Sequence, residues 1–130
     1  IHAKSVVDER GSLIVVEHGD GGLPFEVRRV YWILAPTAQT VTRGGHAHRK
    51  CQQLFFCLRG DSTWLLEDPS QAQLVRLRGG LPTGLLVAPM VYHTFTMTPQ
   101  TIILALASHE YDEADYIRDV QEWKSLCAAP

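Results

Sequence analysis

Short apolar runs separated by glycine, proline and aspartate dominate the amino-acid sequence. β-Branched and aromatic residues are enriched in most of these runs, and turn-forming residues occupy the breaks between them, a pattern typical of strands rather than helices. Eight runs at this spacing predict an all-β sandwich or a small barrel. The predicted strands cover residues 12–17, 25–34, 53–59, 62–67, 72–77, 85–88, 92–97 and 101–107.

A helical signal occurs only near the C-terminus. Asp119 is of a residue type that caps helices, and Glu122 would lie in the first turn, where the helix dipole favours a negative charge. The sequence therefore predicts one short C-terminal helix over residues 120–126.

Two of the predicted strands are apolar at consecutive positions, at residues 54–58 and 102–106. This pattern is typical of strands that are covered on both faces. The second cover is either part of the fold itself, which would then wrap its own sheet, or a second subunit. If a second subunit provides the cover, an isolated chain would expose an unusual apolar face. This second alternative therefore predicts a homodimer.

The composition is that of an ordinary globular domain. The chain has 130 residues, a length that fits one domain over residues 1–130, and its 45% hydrophobic residues argue against disorder. Twelve Lys and Arg against fourteen Asp and Glu give a formal charge of −2. No basic field therefore exists to hold nucleic acid or an anionic membrane, and an anionic ligand would have to be bound by a few local arginines.

The cysteines and the ends of the chain indicate a compartment. Cys51, Cys57 and Cys127 show no Cys-x-x-Cys spacing, so a disulfide framework or thiolate zinc site is not expected and the reducing cytoplasm is favoured. No apolar run approaches the ~20 residues that span a bilayer. The chain begins at Ile1 without a basic-then-apolar leader, as a trimmed chain or a piece of a longer polypeptide would.

The most informative stretch is Arg43-Gly44-Gly45-His46-Ala47-His48. Residues i and i+2 of a strand point to the same face, so His46 and His48 should project together and open into a pocket, while Ala47 faces the other way. Two neighbouring imidazoles on an apolar scaffold are typical of metal binding or of proton transfer.

The residues that follow resemble two cupin motifs, which implies a jelly-roll β-sandwich in which both motifs meet in one pocket. Gln53 stands where metal-binding cupins have a glutamate, and His93 lies near the place of a further pocket histidine. His46, His48 and His93 could form a three-histidine metal site with an open position. A neutral amide at Gln53 is a poor ligand, so we predict that no metal is bound.

Five segments together resemble the WxcM-like sugar 3,4-ketoisomerase family, which consists of cupins that act on dTDP-4-keto-6-deoxyglucose. The resemblance implies a cytoplasmic homodimer that uses neither metal nor cofactor and converts this substrate to a dTDP-3-keto-6-deoxyhexose. Its most specific parts are Arg-Gly-x-His-Ala-His and Tyr-Asp-Glu-x-Asp-Tyr-Ile-Arg. The segments are DERGSL (8–13), PFEVRRVYWI (24–33), RGGHAHRK (43–50), GLLVAPM (84–90) and YDEADYIR (111–118).

The reaction that the resemblance implies moves a carbonyl from sugar C4 to C3 through an enediolate. Imidazole suits both the carbon and the oxygen proton transfers, because its ordinary pKa of ~6.5 lies near working pH. We therefore predict His46 and His48 as the catalytic pair, without deciding which is the carbon base.

Substrate binding is predicted for four further residues. Arg43 should bind the diphosphate, with help from Arg29, because guanidinium groups bind phosphate bidentately. Tyr31 shares a strand face with Arg29 and could donate to a sugar oxygen, while His93 could contact the sugar near its reacting carbons. The acidic residues Asp112, Glu113 and Asp115 would repel a diphosphate and are interpreted as structural or capping groups.

Two other functions remain open at this point. A dTDP-sugar 3,5-epimerase is also a cupin with an Arg-Gly-x-His strand, but it is expected to use one histidine base and a separate tyrosine acid, here Tyr111. A noncatalytic cupin would bind a sugar nucleotide and turn nothing over. The second histidine of the pair favours ketoisomerisation.

Overall fold

The computed structural model describes residues 1–130, which form eleven strands, one α-helix and one short 3-10 helix at Glu113–Asp115. Strands thus dominate the fold, as the hydrophobic pattern predicts. In chain order the elements are β1 (Lys4–Asp8), β2 (Gly11–Val15), β3 (Arg29–Leu34), β4 (Val41–His48), β5 (Gln53–Arg59), β6 (Asp61–Glu67), β7 (Ala72–Arg78), β8 (Leu85–Val87), β9 (Tyr92–Met97), β10 (Ile102–Ala107), β11 (Tyr116–Ile117) and α1 (Val120–Ala128).

The strands form three antiparallel sheets. Four strands pair in the order β3-β10-β5-β8, five pair in the order β11-β4-β9-β6-β7, and β1 pairs only with β2. Neighbours in the two larger sheets are mostly distant in sequence, as expected of a jelly roll in which the chain crosses repeatedly between two sheets. The all-β cupin sandwich with a short C-terminal helix is confirmed.

The main core lies between the two larger sheets. Phe55 from β5 and Ile103 from β10 meet Trp64 from β6 and Phe95 from β9, and all four side chains are buried. Trp64 and Phe95 stack with ring centroids 3.9 Å apart. Each of these strands buries alternate residues toward the opposite sheet, which is the arrangement that a two-layer sandwich requires.

The outer face of β5 is covered by the chain itself. Leu54 and Phe56 pack beneath Leu23 and Phe25, which belong to the segment that precedes β3. The expectation that an isolated chain would expose one face of residues 54–58 or 102–106 is therefore wrong for Leu54 and Phe56. Leu58 is half exposed, and the alternate residues 102, 104 and 106 of the second run are only partly buried. This packing also explains why the strand predicted over residues 25–34 begins only at Arg29, since the chain before it serves as a cover.

Other apolar residues remain uncovered. Val30, Trp32 and Leu34 alternate with inward-facing residues on β3, an edge strand, and Trp32 is 64% exposed. The β1–β2 hairpin pairs with no other strand and exposes apolar side chains such as Val7 and Leu13. A two-stranded hairpin is marginally stable by itself, so this element needs a further surface to pack against.

The C-terminal helix closes the outer side of the five-stranded sheet. The Asp119 side chain caps it by accepting hydrogen bonds from two backbone N–H groups of the first turn, as predicted, and the helix extends two residues beyond the predicted end. Trp123 is buried against Ala47 and Ile117 and donates through Nε1 to the carbonyl of Met90 at 2.8 Å. All three cysteines are free thiols. The fold contains no helix with the length and apolarity needed to cross a bilayer.

Candidate active site

A cavity of about 660 Å³ opens between the edge strand β3 and the five-stranded sheet. Its walls come from β3, β4, β5 and β9 and from the segment around β11, so residues distant in sequence converge there. Five of the six predicted site residues line it, namely Arg29, Tyr31, Arg43, His46 and His93.

A bulge in β4 aligns two of these residues. Arg43 lies opposite Phe95 and His46 opposite His93 on β9, but the register shifts by one residue between Gly44 and His46. On an unbroken strand, residues three apart point to opposite faces. The extra residue turns Arg43 and His46 to the same inward face, which is how β-bulges re-aim side chains.

Glycine is required at the bulge. Gly44 and Gly45 both have positive φ, at 85° and 78°. A Cβ at Gly44 would lie 2.7 Å from the carbonyl oxygen of His93, closer than side chains approach backbone. Gly44 thus allows β4 to approach β9 closely, and both glycines adopt the left-handed conformation that other residues resist.

Three histidines form a cluster at the inner end of the cavity. The ring of His46 lies 5.0 Å from that of His48 and 4.6 Å from that of His93, measured between centroids. Nδ1 of His46 and Nε2 of His48 are buried without a hydrogen-bond partner in the protein. Nδ1 of His93 is 3.1 Å from the carbonyl of Val91, to which it donates.

The two members of the predicted catalytic pair differ in exposure. His46 and His48 share the inward face of β4 as predicted, but only His46 lines the cavity. His48 is 3% exposed and lies one layer deeper, because Tyr116 pairs with it on the neighbouring strand β11 and lies 4.4 Å away between ring centroids. The expectation that both imidazoles open directly into the cavity therefore holds for His46 alone.

The environment keeps the three imidazoles neutral. Burial, together with the positive charge that His93 and His48 would carry, lowers the pKa of His46 to about 3. Burial lowers the pKa of His93 to about 4. Burial also lowers the pKa of His48, but the adjacent Asp115 carboxylate opposes this shift. Neutral imidazoles can accept protons, which is the form that a general base needs.

Tyr31 and Gln53 meet on the opposite wall. Nε2 of Gln53 donates to the Tyr31 hydroxyl at 2.9 Å, which leaves the hydroxyl proton free to point into the cavity. Burial, followed by the nearby Tyr116, raises the pKa of Tyr31 above its ordinary value. Tyr31 is therefore a protonated donor at neutral pH, as a group that binds a sugar oxygen must be.

The cavity is cationic. Arg29, Arg43 and Arg118 line it, and no Asp or Glu does. Arg118 pairs with Glu113 at 2.9 Å, whereas neither Arg29 nor Arg43 forms a salt bridge. Two guanidinium groups without counter-charge can bind an anion such as a diphosphate.

Three site residues were not identified from the sequence. Tyr116 contacts the rings of both His46 and His48, and Arg118 lies 4.5 Å from the Tyr116 ring centroid in a cation–π arrangement. Asp115 contacts Nδ1 of His48 at 3.0 Å, although it was interpreted as a structural or capping group. Of the acidic residues so interpreted, Asp112 does cap the 3-10 helix. All of these residues belong to the segment 111–118, whose motif was the only available signal.

Two sets of side chains have the donors for a metal ion. The ring nitrogens of His46, His48 and His93 lie within 4.8 Å of one another, and a second set joins His48 to Cys51 and Asp115. Next to the three histidines, Gln53 occupies the place where metal-binding cupins have a glutamate ligand. Its amide contacts Tyr31 and brings no negative charge. The donor set therefore fits a divalent ion poorly, and metal-independent chemistry stays a prediction.

A second depression of about 790 Å³ lies on the other side of the segment 111–118. Four carboxylates, including Glu26 and Glu110, line it together with three cationic side chains, Arg28, Arg49 and Lys50. This mixture has no bias toward an anion, so the histidine cavity is the candidate site.

Comparison with known proteins agrees with this geometry. The chain is 36% identical over 129 residues to the TDP-4-oxo-6-deoxy-alpha-D-glucose-3,4-oxoisomerase of Aneurinibacillus thermoaerophilus, a match that covers 98% of this chain and 91% of that protein. Among solved structures, the sugar 3,4-ketoisomerase QdtA from Thermoanaerobacterium thermosaccharolyticum, in complex with TDP, superimposes with a TM-score of 0.86 at 32% identity and covers 98% and 91% of the two chains.

A 3,4-ketoisomerase from Helicobacter canadensis superimposes with a TM-score of 0.89 at 28% identity and covers 98% of this chain and 95% of the other. The family model described as FdtA, WxcM-like, C-terminal matches residues 1–128. With a match that spans nearly every residue, the histidine strand and the segment 111–118 included, the chain belongs to the FdtA, WxcM-like C-terminal family.

Proposed function

We propose that this chain is a sugar 3,4-ketoisomerase that converts dTDP-4-keto-6-deoxyglucose to a dTDP-3-keto-6-deoxyhexose. The observation that carries the proposal is a cavity that combines neutral histidines with arginines and contains no carboxylate. The names of the relatives support the same activity, since each is a 3,4-oxoisomerase or 3,4-ketoisomerase. One solved relative holds TDP, which supports a dTDP-linked ligand.

The arginines bind the nucleotide end of the substrate. Arg43 lies at the exposed part of β4 and Arg29 at the start of β3, and neither has an acidic partner to displace. Each can make a bidentate, charge-assisted contact to a phosphate. With the diphosphate held there, the sugar reaches the inner end of the cavity, where Tyr31 donates to a sugar oxygen and His93 packs beside the reacting carbons.

The histidine pair moves the protons. One imidazole removes the C3 proton, which is acidic because a carbonyl stands at C4, and the electrons of the C–H bond form an enediolate. The C4 oxygen takes a proton, the C3 hydroxyl loses one, and the imidazolium returns the carbon proton to C4. The carbonyl then stands at C3 with no net gain or loss of protons, and no cofactor is needed.

We also infer that the protein acts as a homodimer. The edge strand β3 exposes Val30, Trp32 and Leu34, of which Trp32 and Leu34 also line the cavity, and the free β1–β2 hairpin exposes further apolar residues. A second copy would cover these surfaces, since a twofold pair buries the same patch on each partner. The free thiols fit a reducing compartment, so we propose the cytoplasm as its location.

Light scattering tests the dimer. The wild-type protein should give a mass of about twice the chain's 14.5 kDa, and Trp32→Glu should shift it toward the monomer. Leu74→Glu is the matched control, because Leu74 is 71% exposed, slightly more than Trp32, but lies on β7, the edge of the other sheet. A wild-type monomer at micromolar concentration would contradict the proposal.

The activity is tested by incubating the protein with dTDP-4-keto-6-deoxyglucose in deuterated water and following the sugar by NMR. Migration of the carbonyl to C3 is the expected result. Deuterium at C3 and C5 without migration would instead indicate a 3,5-epimerase, and an unchanged sugar that nevertheless binds would indicate a noncatalytic binding protein. Either outcome would overturn the proposed function.

A further inference from the structure

A second group of potential metal ligands lies beside the histidine cavity. It consists of His48, Cys51 and Asp115, whose ligand atoms lie within 4.8 Å of one another, and we call it the thiol cluster. None of the three residues lines the histidine cavity, and only His48 also belongs to the three-histidine set. The proposed reaction does not use the Cys51 thiol, so the thiol cluster needs an explanation of its own.

The distances within the thiol cluster suit a tetrahedral ion. Oδ2 of Asp115 lies 3.0 Å from Nδ1 of His48. Zinc binds nitrogen and oxygen at about 2.0–2.2 Å and sulfur at about 2.3 Å, so two ligand atoms of one tetrahedral ion lie roughly 3.3–3.6 Å apart. Nδ1 and Oδ2 are already near this separation, and Sγ of Cys51 has to approach them by at most about 1.3 Å.

The thiol cluster also supplies the charge that a divalent ion needs. A thiolate and a carboxylate carry two negative charges, which balance a divalent cation, whereas three neutral imidazoles carry none. Arg29 and Arg118 line the cavity next to the three histidines and repel a cation there. Thiolate is a soft ligand that selects zinc and similar ions over magnesium and calcium. The ligand set therefore favours a thiophilic ion in the thiol cluster.

Neighbouring groups orient the ligands of the thiol cluster. Oδ1 of Asp115 accepts a hydrogen bond from the backbone N–H of Lys50 at 2.8 Å, and Oδ2 accepts a longer one from the backbone N–H of Cys51 at 3.3 Å. The Ser108 hydroxyl donates to Sγ of Cys51 at 3.9 Å. Hydrogen bonds of this kind orient metal ligands and raise their affinity. The carboxylate and the sulfur are thus held next to the imidazole before any ion arrives.

The second depression gives an ion a route to the thiol cluster. Asp115 is one of four carboxylates that line it, against three cationic side chains, so negative charge is in slight excess. An ion that entered from the histidine cavity would instead have to pass Arg29, Arg43 and Arg118. The depression of about 790 Å³ therefore reaches a ligand of the ion without crossing the site of the substrate.

We propose that His48, Cys51 and Asp115 bind a thiophilic divalent cation such as zinc, and that this ion inhibits the enzyme. The ion bonds to Sγ of Cys51, Nδ1 of His48 and Oδ2 of Asp115, and water takes the fourth position. In the metal-free protein Nδ1 carries a hydrogen, because the Asp115 carboxylate only accepts. On binding, the thiol proton leaves to solvent and the Nδ1 hydrogen is replaced by one on Nε2, so one proton is released for each ion.

Inhibition follows from the single lone pair of a neutral imidazole. When Nδ1 of His48 binds the ion, the hydrogen of the ring lies on Nε2, and this nitrogen can no longer accept a proton. His48 is then lost to proton transfer. This effect rests on the proposed ketoisomerase activity, whereas the binding of the ion does not. The ion is an inhibitor and not a cofactor, so its removal by chelation leaves turnover intact.

Absorption spectroscopy with Co²⁺ alone tests the binding in the untagged wild-type protein, kept reduced with a phosphine. A thiolate ligand gives a sulfur-to-cobalt charge-transfer band in the near ultraviolet, which histidine and carboxylate ligands do not give. We expect this band, and we expect Zn²⁺ to abolish it by displacing cobalt. A wild-type protein that shows no such band overturns the proposal, and this result depends on no variant.

Substitutions then locate the ion. Cys51→Ser should lose the band and weaken Zn²⁺ binding in calorimetry by about 100-fold or more, since the loss of a mere outer partner of a ligand already costs 10–100-fold. Cys127→Ser, which removes another free thiol on α1, is the matched control and should keep both. His93→Asn removes a ligand of the three-histidine set alone and should also keep the Zn²⁺ affinity. If His93→Asn weakens binding as much as Cys51→Ser, the ion does not lie in the thiol cluster.

Turnover in the presence of Zn²⁺ separates this inference from the proposed function. The wild-type protein should lose turnover as Zn²⁺ is added and regain it with a chelator. Cys51→Ser should start from wild-type turnover and require about 100-fold more Zn²⁺, a comparison that also corrects for Zn²⁺ bound to the diphosphate. A chelated wild-type protein that moves no carbonyl contradicts the proposed function, while the cobalt spectrum still decides the site. A wild-type protein that turns over unchanged with Zn²⁺ bound through the thiolate refutes the inhibition.

Discussion

Lowering the pH from 7 to 5 should destabilise the folded protein by about 2 kcal/mol through His93 alone. This side chain is 1% exposed, and burial lowers its pKa to about 4, against ~6.5 in an unfolded chain. Between these two values the unfolded state binds the proton and the folded state does not, so stability falls as the pH falls. Each pH unit within this interval lowers the free energy of unfolding by about 1.4 kcal/mol, and about 1.5 pH units lie between 6.5 and 5.

Above pH 6.5 His93 is neutral in both states and does not reduce the free energy of unfolding. Below pH 6.5 the free energy of unfolding falls progressively, and at pH 4 the loss amounts to about 3 kcal/mol. His46, with a pKa of about 3, acts in the same direction. Its side chain is only partly buried, so solvent screening makes its effect smaller than the same arithmetic would give. The four carboxyl groups with lowered pKa values, Asp8, Asp68, Glu113 and Asp115, start from ordinary values of 4.5 or less and so titrate outside the interval from pH 7 to pH 5.

Urea unfolding at pH 7 and pH 5, at one protein concentration, measures the effect. His93→Asn removes the titrating ring but retains a donor for the Val91 carbonyl, and the stability difference between the two pH values should shrink by about 2 kcal/mol. Phe95→Leu is the control: it loosens the same core and lowers stability at both pH values, yet should keep the wild-type difference. If His93→Asn also keeps that difference, the burial argument for His93 is refuted.

Three further predictions concern activity. His46→Asn and His48→Asn should retain the fold and dTDP binding, and at least one should lose about 10²–10⁴-fold in turnover by the NMR assay; near wild-type rates in both would contradict the histidine mechanism. Arg43→Ala should weaken dTDP binding about tenfold in calorimetry, the loss of one charge-assisted contact, whereas Arg59→Ala, remote from the cavity, should not. Exhaustive chelation should leave turnover intact, and complete loss that one specific metal restores would show that the site needs an ion.

Much of the fold could be predicted from local pattern. The strand over residues 53–59 has the predicted bounds because its apolar run is continuous and ends at a glycine turn. His46 and His48 share a face because strand geometry allows no other result for residues two apart. Local pattern does not reveal β1 and β11: β1 has a charged residue at each end, and β11 consists of only two residues, so each is recognisable as a strand only through its pairing with β2 or β4.

The same limit applies to the site. Asp115 lies 67 positions after His48, and no spacing rule connects a histidine on a strand to a carboxylate in a later turn. The negative charge of Asp115 predicts a structural role because a carboxylate repels a diphosphate, whereas its contact with a buried imidazole exists only in the folded chain. Phe25 was placed in a strand for its apolar neighbours, whereas tertiary packing uses it to cover Phe56.

The glycine pair in β4 separates the spacing of two side chains in the sequence from the direction in which they point. Arg43 and His46 are three residues apart, and they face the same side only because the strand accommodates one extra residue between Gly44 and His46. At positions 44 and 45, residues that resist the left-handed conformation would favour regular pairing of the same eight residues, which would turn Arg43 away from His46. Deleting Gly45 would instead leave Arg43 and His46 two residues apart on a regular strand and still on one face. A deep mutational scan that includes single-residue deletions should therefore find the deletion of Gly45 milder than Gly45→Val.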